Sequence, residues 1–207
     1  MSRRLAVSNQ KGGCGKSTVA INLCGGLVRQ GKQVLLVDAD PQRSVTRWWN
    51  PAVPFRAVSL AVASLHDEIE SLGKSVDYVV IDCPPGVEDI TRSALLAVEL
   101  VLVPIQPSPF DIWSGEEMAV LIQKAELFNS KLKSRLLISR RIGNTTLGAQ
   151  TRDALADIGI PILETEITQR IALAEAIIAG QTIFEHQPSS PACAEFEALT
   201  AEVLRTG

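Results

Sequence analysis

Two lysines, three glycines and a serine fall within the stretch Lys11-Gly-Gly-Cys-Gly-Lys-Ser-Thr18. Gly12, Gly13 and Gly15 have no Cβ, so the backbone can take positive φ there and turn its N–H groups inward around an anion. A helix beginning just after them would bring its partial positive end to the same point. Lys16 is spaced to reach the terminal phosphates of a nucleotide, and Ser17 to offer its hydroxyl to a magnesium ion. The complementary chemistry sits on carboxylates. Asp38 and Asp40 follow one apolar run, and Asp82 follows another. One carboxylate can hold the water shell of a magnesium ion while another orients a water for attack on phosphorus.

The elements that must position these groups are legible around them. Leu5-Ala6-Val7 leads into the glycine turn as a strand. Ser17 or Thr18 opens a helix to about Gln30, with Ile21, Leu23, Leu27 and Val28 on its apolar side and Gly31 as its stop. Gly25 and Gly26 each cost this helix about 1 kcal/mol relative to alanine, which predicts close packing against the sheet. Residues 33–37 and 78–81 are continuous apolar runs, the pattern of strands buried on both faces of a parallel sheet. Ligands in such sheets gather at the carboxyl ends of strands, which predicts Asp38, Asp40 and Asp82 beside the glycine turn. Tyr78-Val-Val-Ile-Asp82 is a Walker B pattern, and the rigid turn Cys83-Pro-Pro-Gly86 follows it.

Residues 44–49 read as a short helix whose Trp48 and Trp49 point about 100° apart. Either both pack in the core, or one faces a partner. Residues 54–63 are loosely strand-like, 64–72 and 89–98 are helical, and 100–104 form a buried strand. Residues 106–111 read as a proline-stiffened loop, after which Ser114 and Glu117 fit a capping box opening a helix to about Asn129. A strand over 136–139 lies within the densest basic stretch, Lys131, Lys133, Arg135, Arg140 and Arg141. That stretch is either a solvated rim or a surface for DNA phosphates, with Arg140 also near the place of a nucleotide base. A helix over 147–158, a strand over 162–167 and helices over 168–180 and 192–204 complete the chain. The sum is an α/β fold: a doubly wound, mostly parallel sheet of about seven strands with helices on both faces, in one domain over 1–207.

Composition narrows the setting. The 46% hydrophobic and 21% charged content suits a soluble globular chain. At a net charge of −3, any nucleic-acid surface must be a local patch. No apolar run reaches the ~18 residues of a membrane span, and the early glycine motif leaves no room for a signal peptide. Cys14, Cys24, Cys83 and Cys193 form no Cys-x-x-Cys pair, which predicts reduced thiols packed as small residues in a cytoplasmic protein.

The usual phosphate loop has a glycine where Gln10 stands, and here Lys11 follows it. The stretch Lys11–Thr18 resembles the deviant Walker A motif of the ParA/MinD family of ATPases. Asp38-Ala-Asp-Pro-Gln42 looks like that family's A′ motif, and Cys83–Gly86 like its switch region. Pro107-Ser-Pro-Phe-Asp111 is similar to a loop of short ParA-type proteins near the nucleotide and the dimer contact. The likeness covers nearly the whole chain. It implies ATP and Mg2+ as cofactors, with Lys11, Gly12, Gly13, Cys14, Gly15, Lys16, Ser17 and Thr18 around the nucleotide. It implies Ser17, Asp38 and Asp82 at the metal or its water shell, and Lys11, Lys16 and Asp40 as catalytic residues, Asp40 positioning the water.

The same resemblance implies a homodimer in the ATP state, each Lys11 reaching the other subunit's phosphates. That dimer would hold DNA without sequence preference, on the nucleoid in the cytoplasm. A ParB-like or cargo-adaptor activator would stimulate hydrolysis and release it, so that plasmid, chromosome or protein cargo is segregated or spaced. Family members carry a DNA-contacting arginine near Arg170, but Ala172 stands where many have it. Arg140, Arg141, Arg152 and Arg170 are the candidates here. A MinD-like membrane protein would end in a basic amphipathic helix. The tail here holds Glu195, Glu197 and Glu202 against Arg205, which argues for no membrane contact. An iron–sulfur protein of this fold would need paired cysteines, and none are spaced for it. A nucleotide-gated adaptor with negligible turnover stays open from sequence.

Overall fold

The computed structural model describes residues 2–142, 152–153 and 155–206. Its strands are β1 (Arg3–Val7), β2 (Val34–Asp38), β3 (Arg56–Ser59), β4 (Tyr78–Asp82), β5 (Leu100–Ile105), β6 (Lys133–Arg141) and β7 (Ile162–Thr168). They form one sheet in the order β3-β2-β4-β1-β5-β6-β7, and every pairing is parallel. The helices among the described residues are α1 (Lys16–Arg29), α2 (Ser44–Trp48), α3 (Leu65–Leu72), α4 (Glu88–Ala97), α5 (Pro109–Glu126), α6 (Ile171–Ile178), α7 (Ile183–His186) and α8 (Pro191–Arg205).

The continuous apolar strands are explained by two cores. Leu5, Val7, Leu36, Val80 and Leu102 face α1, α7 and α8, whereas Ala6, Val37, Ile81 and Val101 face α3, α4 and α5. Alternate side chains of one strand thus enter opposite cores, and neither set can be polar. The chain leaves β1 toward β2 on one side and reaches β5 on the other. The carboxyl end of β1 is therefore the switch point of the sheet, where a crevice opens.

Two expectations change in the structure, and one open alternative is decided. The close approach at Gly25 and Gly26 is to α7 and α8 rather than to the sheet. A Cβ on Gly26 would run into the Thr200 hydroxyl, and one on Gly25 would meet Phe184 and Thr182 at 3.0 Å. The helix expected to open at the Ser114 capping box begins at Pro109 instead. Proline suits a first helical position because its missing N–H has no partner there anyway. Ser114 is then a helical residue, and its hydroxyl donates to Asn9 Oδ1. Trp48 and Trp49 both pack against the core: Trp48 stacks on Phe55 at 6.3 Å, and Trp49 Nε1 donates to the Phe55 carbonyl at 2.8 Å. Half of the helix expected over 147–158, residues 147–151 and 154, lies outside the described residues.

The edge strand β7 is closed by carboxylates of α8. Glu202 accepts from the Glu164 amide at 2.7 Å and the Thr165 amide at 3.0 Å, and Glu195 accepts from the Thr168 amide at 3.0 Å. These acidic residues dock the last helix on the sheet. Among the described residues no helix is long and apolar enough to cross a membrane. Burial pushes the Glu202 carboxyl up, but the amides of Glu164 and Thr165 and the Arg205 charge outweigh it, so its pKa falls below 4.5. A carboxyl with a lowered folded pKa stabilises above its unfolded value, and that contribution is lost as pH drops through the folded one. Glu202→Gln is expected to lower the melting temperature at neutral pH. The gap to wild type should close as pH falls below 4.5, measured by thermal melts across pH.

Candidate functional site

The glycine turn is held in place from three sides. Asn9, at the end of β1, donates to the Pro104 carbonyl at 2.7 Å and accepts from the Lys11 amide at 3.1 Å and the Ser114 hydroxyl. Gly13 and Gly15 have φ of 76° and 97°, a region that L side chains resist. Gly15 is also crowded, since a Cβ there would lie 2.9 Å from Ser139 Oγ. That hydroxyl donates to the Cys14 carbonyl at 2.9 Å. The Gly13 carbonyl accepts from Gln106 Nε2 at 2.9 Å and from Arg140 Nη1. With carbonyls drawn to the flanking strands, the turn leads directly into α1 at Lys16.

The two lysines do different things. Lys16 is buried and its ammonium folds onto the Lys11 carbonyl at 2.7 Å, within the turn. Lys11 points away. Its ammonium lies 2.7 Å from Asp111 Oδ2, a buried carboxylate that also accepts from Ser108. Lys16 lines the cavity beside the turn and Lys11 does not. That cavity holds about 860 Å³ and runs from the glycine turn and Asp40 to the end of β7 and one side of α6. Its size and its mixture of polar turn and apolar wall suit a nucleotide.

The three aspartates converge as expected. Asp38 and Asp82 are register partners on adjacent strands, and Val7 pairs with Asp82 on the other side. Ser17 Oγ donates to Asp82 Oδ2 at 2.6 Å, while Asp82 Oδ1 is buried with no hydrogen-bond partner among the described residues. Burial raises the Asp82 pKa to about 7; Ser17 and Lys16 pull it down, and Asp38 and Asp40 push it up. A buried carboxylate oxygen without a donor, next to a hydroxyl, fits an oxygen-ligated cation. No group of three or more His, Cys, Asp or Glu among the described residues could hold a metal alone. A magnesium ion here would therefore draw its other ligands from phosphate and water. Asp40 is half-buried at the cavity, and its Oδ1 accepts from the Gln42 amide at 2.8 Å.

The basic residues are less available than their spacing suggested. Arg141 and Arg152 share Glu166 at 2.8 and 3.0 Å, and Arg170 pairs with Glu195 at 2.8 Å. Arg140 turns toward the glycine loop. The four cysteines are free and buried, in keeping with a packing role. Sequence reasoning missed Asn9, Gln106, Ser139 and the Lys11–Asp111 pair. The signal for the first three was a polar residue at the carboxyl end of an apolar run: Val7-Ser-Asn9, Ile105-Gln106 and Ile138-Ser139.

A parallel sheet whose switch-point strand runs through a glycine turn into a helix, with an aspartate ending the next strand, defines a P-loop nucleotide-binding protein. Residues 5–183 match the CobQ/CobB/MinD/ParA nucleotide binding domain. The chain is 34% identical over 242 aligned positions to the chromosome-partitioning ATPase Soj of Thermus thermophilus, covering 98% of this chain and 95% of that one. It is 32% identical over 187 positions to the maintenance of carboxysome distribution protein A of Halothiobacillus neapolitanus, covering 87% and 86%. Among solved structures, the septum site-determining protein MinD of Pyrococcus horikoshii, complexed with Mg-ADP, shares the fold. It aligns with a TM-score of 0.79 at 21% identity over 98% of this chain and 96% of that one. The chain belongs to the ParA/MinD family of P-loop ATPases, enzymes that hydrolyse ATP.

Proposed function

We propose that this ATPase positions cargo by cycling between an ATP-bound dimer on DNA and a released form. The glycine turn, Gly12 to Gly15, and the α1 N-terminus at Lys16, Ser17 and Thr18 bind the phosphate chain through inward N–H groups. Lys16 neutralises charge on the terminal phosphates. Ser17 and Asp82 would hold magnesium, which when bound neutralises charge on the phosphate oxygens. Asp40 orients the attacking water from the cavity wall.

The observation that carries the dimer is the direction of Lys11. It belongs to the phosphate motif in sequence yet stays out of its own cavity, bonded instead to Asp111. Held by Asp111, it does not reach the phosphates of its own site. Exchanging that carboxylate for the phosphates of a second copy would make it a contact across the dimer. The DNA step is supported by the likeness to a chromosome-partitioning ATPase. The activator is a ParB-like or cargo-adaptor protein, and the cargo is a plasmid, a chromosome or a protein assembly.

The test is Lys11→Ala in protein whose turnover is blocked. With ATP and magnesium, light scattering should report a dimer for the blocked parent and a monomer for the Lys11→Ala form. ATP affinity should fall by no more than about tenfold, the scale of one charge-assisted contact. A dimer that persists without Lys11 removes the cross-subunit role.

A further inference from the structure

The segment that carries Asp40 is closed on itself by one side chain. Asp38 ends β2 and is fully buried. Its Oδ2 accepts from the Thr46 amide at 2.7 Å and from the Thr46 hydroxyl at 2.8 Å. Its Oδ1 accepts from the Asp40 amide at 3.2 Å. A single carboxylate therefore ties the start of the loop to the first turn of α2. Between those ties the backbone is constrained again. The Asp40 carbonyl accepts from the Arg43 amide at 2.8 Å, and Arg43 has φ of 56°, a left-handed conformation that a side chain resists. Such a conformation persists only where its surroundings over-determine it. Val45, fully buried, anchors the far side.

Asp38 and Asp82 are neighbours in register but differ in what their oxygens do. Asp82 keeps one oxygen with no donor among the described residues, whereas both Asp38 oxygens take donors from the loop. We propose that Asp38 and Thr46 are positioning residues for Asp40, a clamp that fixes where its carboxylate meets the cavity, and that Asp38 takes no part in the magnesium shell. This rests on Asp40 as the residue that orients the water. Charge-assisted bonds to backbone amides are among the stronger polar contacts, and misplacing a reacting group by an ångström costs up to about 10²-fold in rate.

Thr46→Val removes the hydroxyl donor at similar volume, and Thr46→Ser restores it. Thr46→Val is expected to lower kcat by about tenfold, within the range set by such misplacement. Affinity for a fluorescent ATP analogue and the half-saturating magnesium concentration should stay within about twofold, below the factor of ten that one pKa-sized interaction makes. Hydrogen exchange over 39–46 in the nucleotide-free protein should quicken, and Thr46→Ser should return both readouts toward wild type. Asp38→Asn carries the same test if the valine variant does not fold, because an amide cannot accept from every one of these donors. A Thr46→Val protein with unchanged kcat and unchanged exchange overturns the clamp, as does a raised magnesium requirement in either variant. Asp40→Ala, assayed alongside, separates the two levels: turnover surviving there refutes the role of Asp40 itself, whereas a dead Asp40→Ala beside a normal Thr46→Val refutes the clamp alone.

Discussion

Asp40→Ala is expected to bind ATP nearly as well as the wild type and to lose turnover by roughly 10³-fold, the scale of a removed proton acceptor or preorganised charge. The geometry separates the two effects. Asp40 stands on the cavity wall, its carboxylate bonded to the Gln42 amide within its own loop. The contacts that shape the phosphate turn come from Asn9, Gln106, Ser139 and Arg140. Cutting Asp40 back to Ala therefore leaves the turn and Lys16 as they are, while the water loses its carboxylate. Phosphate release and equilibrium binding of a fluorescent nucleotide measure the two quantities independently. The variant should also accumulate as the ATP-bound dimer, which makes it the bait for capturing an activator. Turnover at the wild-type rate would remove Asp40 from the chemistry.

Asp82→Asn should show opposite effects on the empty and the loaded protein. Burial holds the Asp82 carboxyl at about 7 in the fold, against an ordinary value of 3.8. Between those values the folded state keeps a proton that the unfolded state has released, so stability falls as pH rises through that window. The interval corresponds to a few kcal/mol at about 1.4 kcal/mol per unit. Asparagine does not titrate, so the nucleotide-free variant should melt higher than wild type above pH 7 and match it near 3.8. Added ATP and magnesium should reverse the order, because a ligand stabilises in proportion to the logarithm of its concentration over Kd. The wild type offers the cation an anionic oxygen that has no partner among the described residues, and the variant does not. Thermal melts across pH, with and without Mg-ATP, read both effects. A variant less stable than wild type when empty would mean that the buried carboxylate is paired and not poised for a cation.

Much of this site was legible because its motifs are local. A glycine turn needs only its own residues to take positive φ, and Gly13 and Gly15 do so. An aspartate after a fully apolar run must emerge at a strand end, so Asp38 and Asp82 could be placed before their strands were paired. The misreadings arise where a distant partner decides. Ser114 looked like a helix cap, but Pro109 can start the helix earlier and Asn9 then claims the hydroxyl. The glycines of α1 were read as facing the sheet, but it is Thr200 and Phe184, far along the chain, that need the space. Arg140, Arg141, Arg152 and Arg170 were open candidates for DNA contact, and pairing across the fold is what places Arg141 and Arg152 on Glu166 and Arg170 on Glu195.

By itself the amino-acid order determined a parallel α/β sheet, a phosphate turn after its first strand and the carboxylates at its mouth. All of these follow from hydrophobic period, glycine stereochemistry and strand polarity, which act over a few residues. Only the tertiary structure decided that Lys11 turns away from the cavity to the buried Asp111, 100 positions along the chain, and that Asp38 closes the Asp40 loop on Thr46. A hydrogen bond needs its two atoms within about 3 Å, and no spacing rule places side chains that close until the strands are in register.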